Sequence, residues 1–538
     1  MDRRGRCPTR TATDEDTLHR QMRRFFNTAG PCDPRKHYML PAERRLGAVL
    51  ELVEREQYFV VHAARQTGKT TSMRALAAAL RERGVAAVHA SLESSRRIDD
   101  LESAERLWMS AIHGEAVFEL PPGQHPPEPP PGGPGGRLGA FLRAWSVALA
   151  PVPLVLFLDE VDSVASYPLV NLLSQLRSGF PSRPRGAPAS IALIGLRDLR
   201  DYIVTAKDGA SVNPGSPFNI KAKSLTLRNF TGPEVAELYT QHTADTGQGF
   251  TPGAVARAHE LTGGQPYLVN ALAAECVDTL VRDRSIAIDE SHLLAARQSL
   301  VLARTTHLDS LAQRLREPRV ASVMQAVLTG GDEVPSHSDH FVYCIDLGLI
   351  HPTARPPEVA CPIYREVIAR ELSLTAQDNL VLPRARWQRA EGTLDAPVLV
   401  NQFLQWWREN SDFAVRHAPE GYREATVHLA FMAFLQKVVN GGGQIHREFA
   451  AGSGRVDLCV EMAGARTVIE LKRVRPDRGT LERAVRDGVE QLCEYLDTMG
   501  EREGWLIVFD QREGLSWDQR LWCEDRVVDG RTLYLRGA

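Results

Sequence analysis

The sequence lacks the features of secreted, fibrous and membrane-spanning proteins. Its eight cysteines are scattered over 538 residues without a C-x-x-C pair, which argues against a disulfide scaffold or a zinc ribbon and favours a reducing compartment. The most apolar stretch, residues 140–158, is interrupted by Arg143, Pro151 and Pro153 and so predicts no membrane span. The N-terminus has no apolar core of a secretory signal. We therefore expect a cytoplasmic protein with no membrane partner.

The sequence also lacks a large excess of positive or negative side chains. Lys and Arg number 64 against 67 Asp and Glu, which excludes a wholly basic nucleic-acid coat but permits a local basic patch. Hydrophobic residues make up 43% and charged residues 24%, as in soluble globular proteins. At roughly 150 residues per domain, the length predicts three or four domains.

Strand and helix patterns alternate from residue 38 to about 289 and predict an α/β domain with a parallel sheet. Residues 121–136, rich in Pro and Gly, predict a solvated loop inserted between helices, with a proline-motif ligand as the alternative. The predicted fold class is α/β multidomain, with a P-loop NTPase-type parallel sheet, a helical or winged-helix-like module and a last α/β domain. The predicted divisions are an N-terminal extension (1–37), the P-loop ATPase domain with a helical lid (38–289), the winged-helix-like module (290–382), a linker (383–397) and the last domain (398–538).

Residues 63–70, AARQTGKT, lie between a predicted strand and a predicted helix, which is the context of a phosphate-binding loop. Ala63 replaces the usual first glycine, which is tolerable if its φ stays negative. Lys69 would reach the β- and γ-phosphates of ATP, and the Thr70 hydroxyl would bind Mg²⁺. A chance G-K-T in a loop is the alternative. The predicted nucleotide-binding residues here are Ala63, Arg65, Gln66, Thr67, Gly68, Lys69, Thr70 and Thr71.

A second signal is the apolar strand 154–160, LVLFLDE, which ends in two acids. Asp159 would hold the Mg²⁺ through water, and Glu160 would orient and deprotonate the attacking water. A surface acid pair that caps the next helix is the alternative. The strand at 191–194 would lie beside this one. Arg197 or Arg200 after it would sense the γ-phosphate or act as an arginine finger, with an ordinary surface arginine as the alternative.

With these segments and residues 261–267, LTGGQPY, the chain resembles the AAA+-like ATPases, in particular the signal-transduction ATPases with numerous domains and their archaeal-type relatives. The resemblance covers roughly residues 38–375. It implies that the turn at Gly264 brings Pro266 near the adenine. Residues 40–44, LPAER, resemble a degenerate form of the family's nucleotide-proximal G-R-E motif.

Near the C-terminus, Asp457 lies in one predicted strand, and Glu470 and Lys472 lie in the next. A period of two puts Glu470 and Lys472 on one face, and an antiparallel hairpin can set Asp457 beside Glu470. Two carboxylates and the Leu471 carbonyl would suit Mg²⁺ or Mn²⁺, with Lys472 positioning the water that attacks a phosphodiester. The alternative is a half-exposed strand with a Glu–Lys solvent face.

The helix pattern at 481–499 carries Gln491 and Tyr495 on one face, and Glu424 precedes the hairpin. This order of elements, with D…E-x-K, resembles the PD-(D/E)XK nuclease superfamily over residues 398–538, although Val456 replaces the proline of its name. The resemblance implies metal-dependent phosphodiester cleavage, with Gln491 and Tyr495 in supporting roles and Glu424 as an added carboxylate. A basic patch suits phosphate binding, with a solvated arginine-rich loop as the alternative. Its residues are Arg466, Lys472, Arg473, Arg475, Arg478, Arg483 and Arg486.

Together these features predict an ATPase that controls a metal-dependent nuclease. The predicted partner is nucleic acid, DNA in preference to RNA, and the resemblance suggests prokaryotic defence or DNA processing. One alternative is a nucleotide-dependent signalling or scaffold protein whose C-terminal domain binds without cutting. Another is a DNA-translocating motor, which would need ring assembly. Homo-oligomer formation stays open.

Overall fold

The computed structural model describes most of the chain, and two compact units emerge from its contacts. The first comprises the chain up to His307 with Val342–Pro352 and Ala360–Ile363, and the second comprises the remainder. Across the described residues, no helix has both the length and the apolar character to cross a bilayer. The described residues are 24–196, 204–205, 211–212, 221–303, 306–328, 338–378, 387, 389–416, 431, 435, 444–451, 454–474, 480–510, 512 and 514–538.

The first unit contains a five-stranded parallel sheet in the order β2-β3-β4-β1-β7, and β5 and β6 form a separate antiparallel pair. Leu193 lies opposite Leu158 in the register of β3 and β4, so these strands are neighbours as predicted. The strands are β1 (Tyr58–His62), β2 (Ala86–Ser91), β3 (Leu154–Asp159), β4 (Ser190–Gly195), β5 (Val204–Thr205), β6 (Ser211–Val212) and β7 (Lys221–Thr226).

Helices cover both faces of this sheet, because its strands are apolar at successive positions and not only at alternate ones. Val60 of β1 joins a core with Trp108 and Trp145, whereas Val61 packs with Met73 on the other face. The helices up to residue 303 are α1 (Ala42–Glu54), α2 (Lys69–Glu82), α3 (Leu101–Glu119), α4 (Arg137–Leu149), α5 (Ser166–Gly179), α6 (Gly232–Thr246), α7 (Pro252–Thr262), α8 (Pro266–Ala274) and α9 (Glu290–Ala303).

The Pro/Gly-rich segment 121–136 connects α3 to α4, as predicted, and a buried carboxylate anchors its end. Glu105 is fully buried and accepts hydrogen bonds from the backbone N–H groups of Gly135 and Arg137 and from the Gln175 amide. These bonds satisfy the buried charge and two N–H groups at the start of α4.

Four further helices follow among the described residues, and parts of this region belong to each unit. The last of these helices begins at Pro362, whose fixed φ suits a first helical position. The winged-helix-like arrangement stays a prediction. The helices are α10 (Thr306–Arg314), α11 (Pro318–Leu328), α12 (Asp339–Asp346) and α13 (Pro362–Asp378).

The second unit contains a mixed six-stranded sheet in the order β12-β13-β11-β10-β9-β8. β8, β9 and β10 are antiparallel, whereas β11 runs parallel to both β10 and β13. Leu394, inside the predicted linker, is buried in this unit's core. The elements are α14 (Ala396–Arg416), β8 (Gln444–Ala451), β9 (Gly454–Met462), β10 (Ala465–Val474), α15 (Leu481–Met499), β11 (Glu503–Asp510), α16 (Trp517–Arg520), β12 (Cys523–Val528) and β13 (Arg531–Gly537).

Side chains of β10 alternate between two cores. Ile469 and Leu471 pack with Phe403, whereas Val468 and Val474 face the core that includes Leu492 of α15. By the same alternation, the even-numbered positions of β10 lie on the face covered by α15.

Candidate nucleotide and carboxylate–lysine sites

The P-loop joins β1 to α2 at the carboxyl edge of the parallel sheet. Gly68 precedes the first residue of α2 with φ +83°, a conformation that glycine adopts without strain. Gln66 also has a positive φ, of 57°, whereas Ala63 does not. The alanine in the place of the usual first glycine is therefore compatible with this loop.

Lys69 is folded back onto the loop that carries it. Its Nζ donates to the carbonyl oxygens of Ala63 and Ala64 at 2.8 and 2.9 Å. Burial lowers the pKa of Lys69, and the neighbouring acids, Asp159 first among them, partly oppose that shift. The ammonium is therefore held by neutral acceptors, from which it can transfer to a phosphate oxygen.

Three donors converge on the carboxylate of Asp159 at the end of β3. Thr70 Oγ1 donates to Asp159 Oδ2 at 2.6 Å, His89 Nε2 lies 3.0 Å from the same oxygen, and the Glu160 N–H donates to Oδ1 at 2.8 Å. Burial acts to raise the pKa of Asp159, but the hydrogen bonds from His89 and Thr70 outweigh it and lower the pKa. An ionised carboxylate beside a hydroxyl is a hard oxygen pair, which fits Mg²⁺.

Glu160 follows Asp159 in a left-handed backbone conformation with φ +56°. Strain of this kind in a residue other than glycine is common at functional sites. Burial and the nearby acids Asp162 and Asp159 raise the pKa of Glu160, which makes it a better base than an ordinary surface carboxylate. An Arg96 nitrogen lies 3.8 Å from Glu160 Oε2.

The turn after α7 reaches the P-loop through a side chain that the sequence did not single out. Gln265 Nε2 lies 3.4 and 3.3 Å from the carbonyl oxygens of Arg65 and Gln66. Pro266 is buried as the first residue of α8. A Cβ on Gly264 would lie 1.9 Å from the carbonyl oxygen of Phe230, so only glycine fits this turn.

The remaining predicted nucleotide residues have different surroundings. Thr67 Oγ1 donates to the Ala64 carbonyl at 2.9 Å, and Thr71 Oγ1 accepts from the Cys32 N–H at 3.0 Å. Arg197 and Arg200, predicted to sense the γ-phosphate, lie outside the described residues.

Arg45 supports the P-loop in place of the arginine in the G-R-E-like segment. Its Nη2 donates to the carbonyl oxygens of Thr67 and Arg228 at 3.2 and 2.6 Å, and burial lowers its pKa to about 10. Arg44 instead pairs with Glu237 at 2.5 Å on an exposed surface. No sequence pattern distinguished the two arginines, because only the direction of α1 decides which one faces the loop.

In the second unit, β10 and α15 bring three of the predicted residues together. Lys472 Nζ donates to Glu470 Oε1 at 2.7 Å and also to Gln491 Oε1. Glu470 is 2% exposed. On α15, a Cβ at Gly488 would lie 2.6 Å from a Leu506 methyl carbon and 3.0 Å from Lys472 Cγ, so this glycine, which sequence reasoning missed, lets the helix approach the lysine closely.

The other predicted members of this site are less fully described. Pairing of β9 with β10 runs as far as Leu458 opposite Ile469, one position short of Asp457 and Glu470. The side chain of Asp457, and all of Glu424, lie outside the described residues. Tyr495 is buried in the core between α15 and the sheet, and Leu471 is buried on the opposite face of β10.

Among the described side chains, no group of three or more His, Cys, Asp and Glu residues is arranged to hold a metal. In the predicted basic patch, Arg483 and Arg486 are exposed, and each lies 3.5 Å from a carboxylate oxygen of Asp487. Arg475 and Arg478 lie outside the described part of the chain.

One sequence-family model matches part of the chain. Residues 139–370 match the sequence model of an AAA-like domain. This AAA-like region contains β3 with its acids and the turn at Gly264. The match and the P-loop geometry support an ATPase-type function for the first unit. No curated protein sequence matches the chain significantly.

Similar solved structures include a Walker-type ATPase of Pyrococcus abyssi, with 15% identity, a TM-score of 0.46 and coverage of 64% of this chain and 99% of the other. Cdc6p of Pyrobaculum aerophilum has 12% identity, a TM-score of 0.34 and coverage of 61% and 93%. The RuvB Holliday junction branch migration motor of Thermotoga maritima has 15% identity, a TM-score of 0.34 and coverage of 59% and 90%.

Proposed function

We propose that the first unit binds and hydrolyses ATP and that its nucleotide state controls metal-dependent cleavage of nucleic acid by the second unit. DNA is the favoured substrate, and prokaryotic defence or DNA processing is the proposed setting. Control of one activity by the other is proposed because both sites occur on one chain.

The ATPase half rests on the groups at the carboxyl edge of the parallel sheet. Lys69 would contact the β- and γ-phosphates from the start of α2, where the helix dipole also favours an anion. Thr70 and Asp159 would hold Mg²⁺, which when bound neutralises charge on the phosphates. Glu160, with its raised pKa, would accept a proton from the attacking water.

The nuclease half rests on one observation: a buried glutamate and a lysine share a hydrogen bond on the face of β10 that α15 covers. Burying a carboxylate is costly, so its retention beside an ammonium favours a functional reading over a solvent-exposed Glu–Lys pair. If the antiparallel register continues by one residue, Asp457 stands opposite Glu470.

In this proposal, Asp457, Glu470 and the Leu471 carbonyl would hold Mg²⁺ or Mn²⁺, which when bound supplies Lewis-acid activation of the phosphodiester. Lys472 would orient the attacking water, and Gln491 would hold the lysine in place. The exposed arginines of α15 would contact the phosphate backbone.

The test is incubation of the full chain with plasmid, linear DNA and RNA in Mg²⁺ or Mn²⁺, with and without ATP. We expect metal-dependent cutting that is lost in both Asp457→Ala and Lys472→Ala. Glu461→Gln removes a carboxylate from the same strand as Asp457 and is the matched control, which should still cut.

Cutting that survives in Asp457→Ala and Lys472→Ala would point to a contaminant or another site. No cutting under any nucleotide condition, together with retained ATP turnover, would favour a scaffold that binds without cleaving. Equal cutting by Lys69→Met and wild type would remove the proposed control by ATP.

A further inference from the structure

His89 of β2 has no place in the sequence motifs, yet it contacts the acid at the end of the neighbouring strand. It is 8% exposed, and its Nε2 lies 3.0 Å from Asp159 Oδ2. In the parallel register of β2 and β3, His89 stands opposite Phe157, two residues before Asp159. The imidazole therefore reaches forward along the sheet toward the carboxyl edge, where the P-loop lies.

The hydrogen bonds around Asp159 determine which way each donor hydrogen points. An ionised carboxylate only accepts, so His89 Nε2 and Thr70 Oγ1 both direct their hydrogens at Oδ2, while the Glu160 N–H occupies Oδ1. The one hydrogen of the Thr70 hydroxyl is thus committed to Asp159. The hydroxyl lone pairs then point elsewhere and remain available to a cation.

We propose that His89 is a positioning residue for the Mg²⁺ of the nucleotide site. By holding Oδ2 of Asp159, the imidazole fixes the carboxylate that in turn orients the Thr70 hydroxyl. The inference rests on the proposed ATP hydrolysis but goes beyond it. It predicts that loss of His89 changes the Mg²⁺ concentration needed for turnover and leaves metal-free nucleotide binding unchanged. A histidine that only filled space between β2 and α2 would have no such selective effect.

Three substitutions separate positioning from packing. His89→Met fills a similar length without a donor. His89→Gln carries an amide N–H at a reach close to that of Nε2 and should act as the conservative replacement. His89→Asn keeps a polar group in the same place but with an amide too short to hold Oδ2, which covers the case in which the methionine variant fails to fold.

The experiment uses the full chain and measures two quantities. One is the affinity for a fluorescent ATP analogue in EDTA, and the other is the Mg²⁺ concentration that gives half-maximal ATP turnover. Because partners of metal ligands commonly contribute about 10- to 100-fold to metal affinity, we expect His89→Met and His89→Asn to raise this concentration about 10-fold or more. Analogue affinity in EDTA should stay within about twofold, and His89→Gln should restore most of the Mg²⁺ response.

An unchanged Mg²⁺ demand in a folded His89→Met or His89→Asn protein would overturn the inference while leaving ATP hydrolysis intact. A parallel loss of analogue affinity in EDTA would also overturn it, because the histidine would then be structural. Absence of ATP turnover in the wild-type chain would instead overturn the proposed function, and this inference with it.

Discussion

The two lysine sites differ in what holds the ammonium. In the first unit, Lys69 donates to two backbone carbonyls of its own loop, whereas in the second unit Lys472 donates to the buried carboxylate of Glu470. Neutral carbonyls compete weakly with a phosphate for a cation, but a carboxylate competes strongly. Lys69 can therefore exchange its carbonyl partners for a phosphate ligand, whereas Lys472 should keep its hydrogen bond to Glu470.

The acids of the two sites differ in the same way. Asp159 is held by a hydroxyl, an imidazole and a backbone N–H, none of which is a permanent cation. Glu470 is held by an ammonium. Removing Lys69 should therefore affect ATP turnover, whereas removing Lys472 should also affect the stability of its unit.

The largest expected effect is that of Lys69→Met on ATP turnover. Loss of the cation that would contact the β- and γ-phosphates should slow turnover about 10³-fold. Stability should be retained, because burying the ammonium is itself unfavourable. Steady-state ATP hydrolysis and urea unfolding of the full chain measure both, with Arg83→Met, an exposed residue at the end of α2, as control. Substantial destabilisation by Lys69→Met would contradict the difference proposed between the two lysine sites.

Lys472→Met should destabilise the second unit by about 4 kcal/mol, because it leaves the buried Glu470 carboxylate without its ammonium. The double variant Glu470→Gln with Lys472→Met should recover most of that loss, since no buried charge then remains. Urea unfolding gives the values. The control is Arg483→Met, which removes an exposed partner of Asp487 and should change stability by less than about 0.5 kcal/mol. Equal losses of stability in Lys472→Met and Arg483→Met would show that the buried carboxylate does not depend on its ammonium.

The first unit also buries a titratable group in its neutral form, His307 beside the ring of Tyr267. Burial lowers the pKa of His307 to about 4. Below the ordinary histidine pKa of about 6.5, the His307 imidazole is protonated in the unfolded chain but stays neutral in the folded unit. The free energy of unfolding therefore falls as the pH falls from 6.5 to 4. The loss over this window should reach about 3 kcal/mol.

His307→Phe, which keeps a ring against Tyr267, should remove that part of the pH dependence. Urea unfolding of both proteins at pH 7.5, 5.5 and 4.5 measures it, with the difference between them isolating the histidine. A variant that loses stability as steeply as wild type between pH 6.5 and 4 would show that the imidazole is protonated in the folded unit.

The smallest expected effects compare matching helix caps in the two units. Thr231 Oγ1 accepts from the Glu234 N–H at the start of α6, and Thr480 Oγ1 accepts from the Arg483 N–H at the start of α15. Replacing either threonine by alanine should cost about 1 kcal/mol, and serine should preserve the cap. Urea unfolding of the four variants measures this, and a serine variant as unstable as its alanine counterpart would show that the hydroxyl is not the stabilising group.

Much of the first site could be predicted because its parts are close in sequence or follow single strands. The P-loop lies between β1 and α2 as expected, and Asp159 ends β3, so local pattern and strand direction suffice for Lys69, Thr70 and Asp159. His89, Gln265 and Arg45 could not be predicted, because each reaches the site from a segment whose distance in space depends on how strands and helices pack. A single histidine within an apolar strand forms no sequence pattern that predicts a function.

Less of the second site follows from local pattern. Alternation along β10 correctly put Glu470 and Lys472 on one face, and helix spacing put Gln491 and Tyr495 on one side of α15. Helix spacing alone could not predict that Gln491 would contact Lys472 while Tyr495 would be buried in the core. That division depends on the close approach of α15 over Gly488.

The amino-acid sequence alone determined the order of strands and helices, the phosphate loop with its acidic strand, and the paired charges of β10, because periodicity and turn chemistry act over a few residues. Tertiary structure alone decided which side chains hold those groups: an imidazole on Asp159, carbonyls on Lys69, a carboxylate on Lys472. The physical reason is that hydrogen bonds and burial act across distances in space, and packing brings together residues that lie tens of positions apart along the chain.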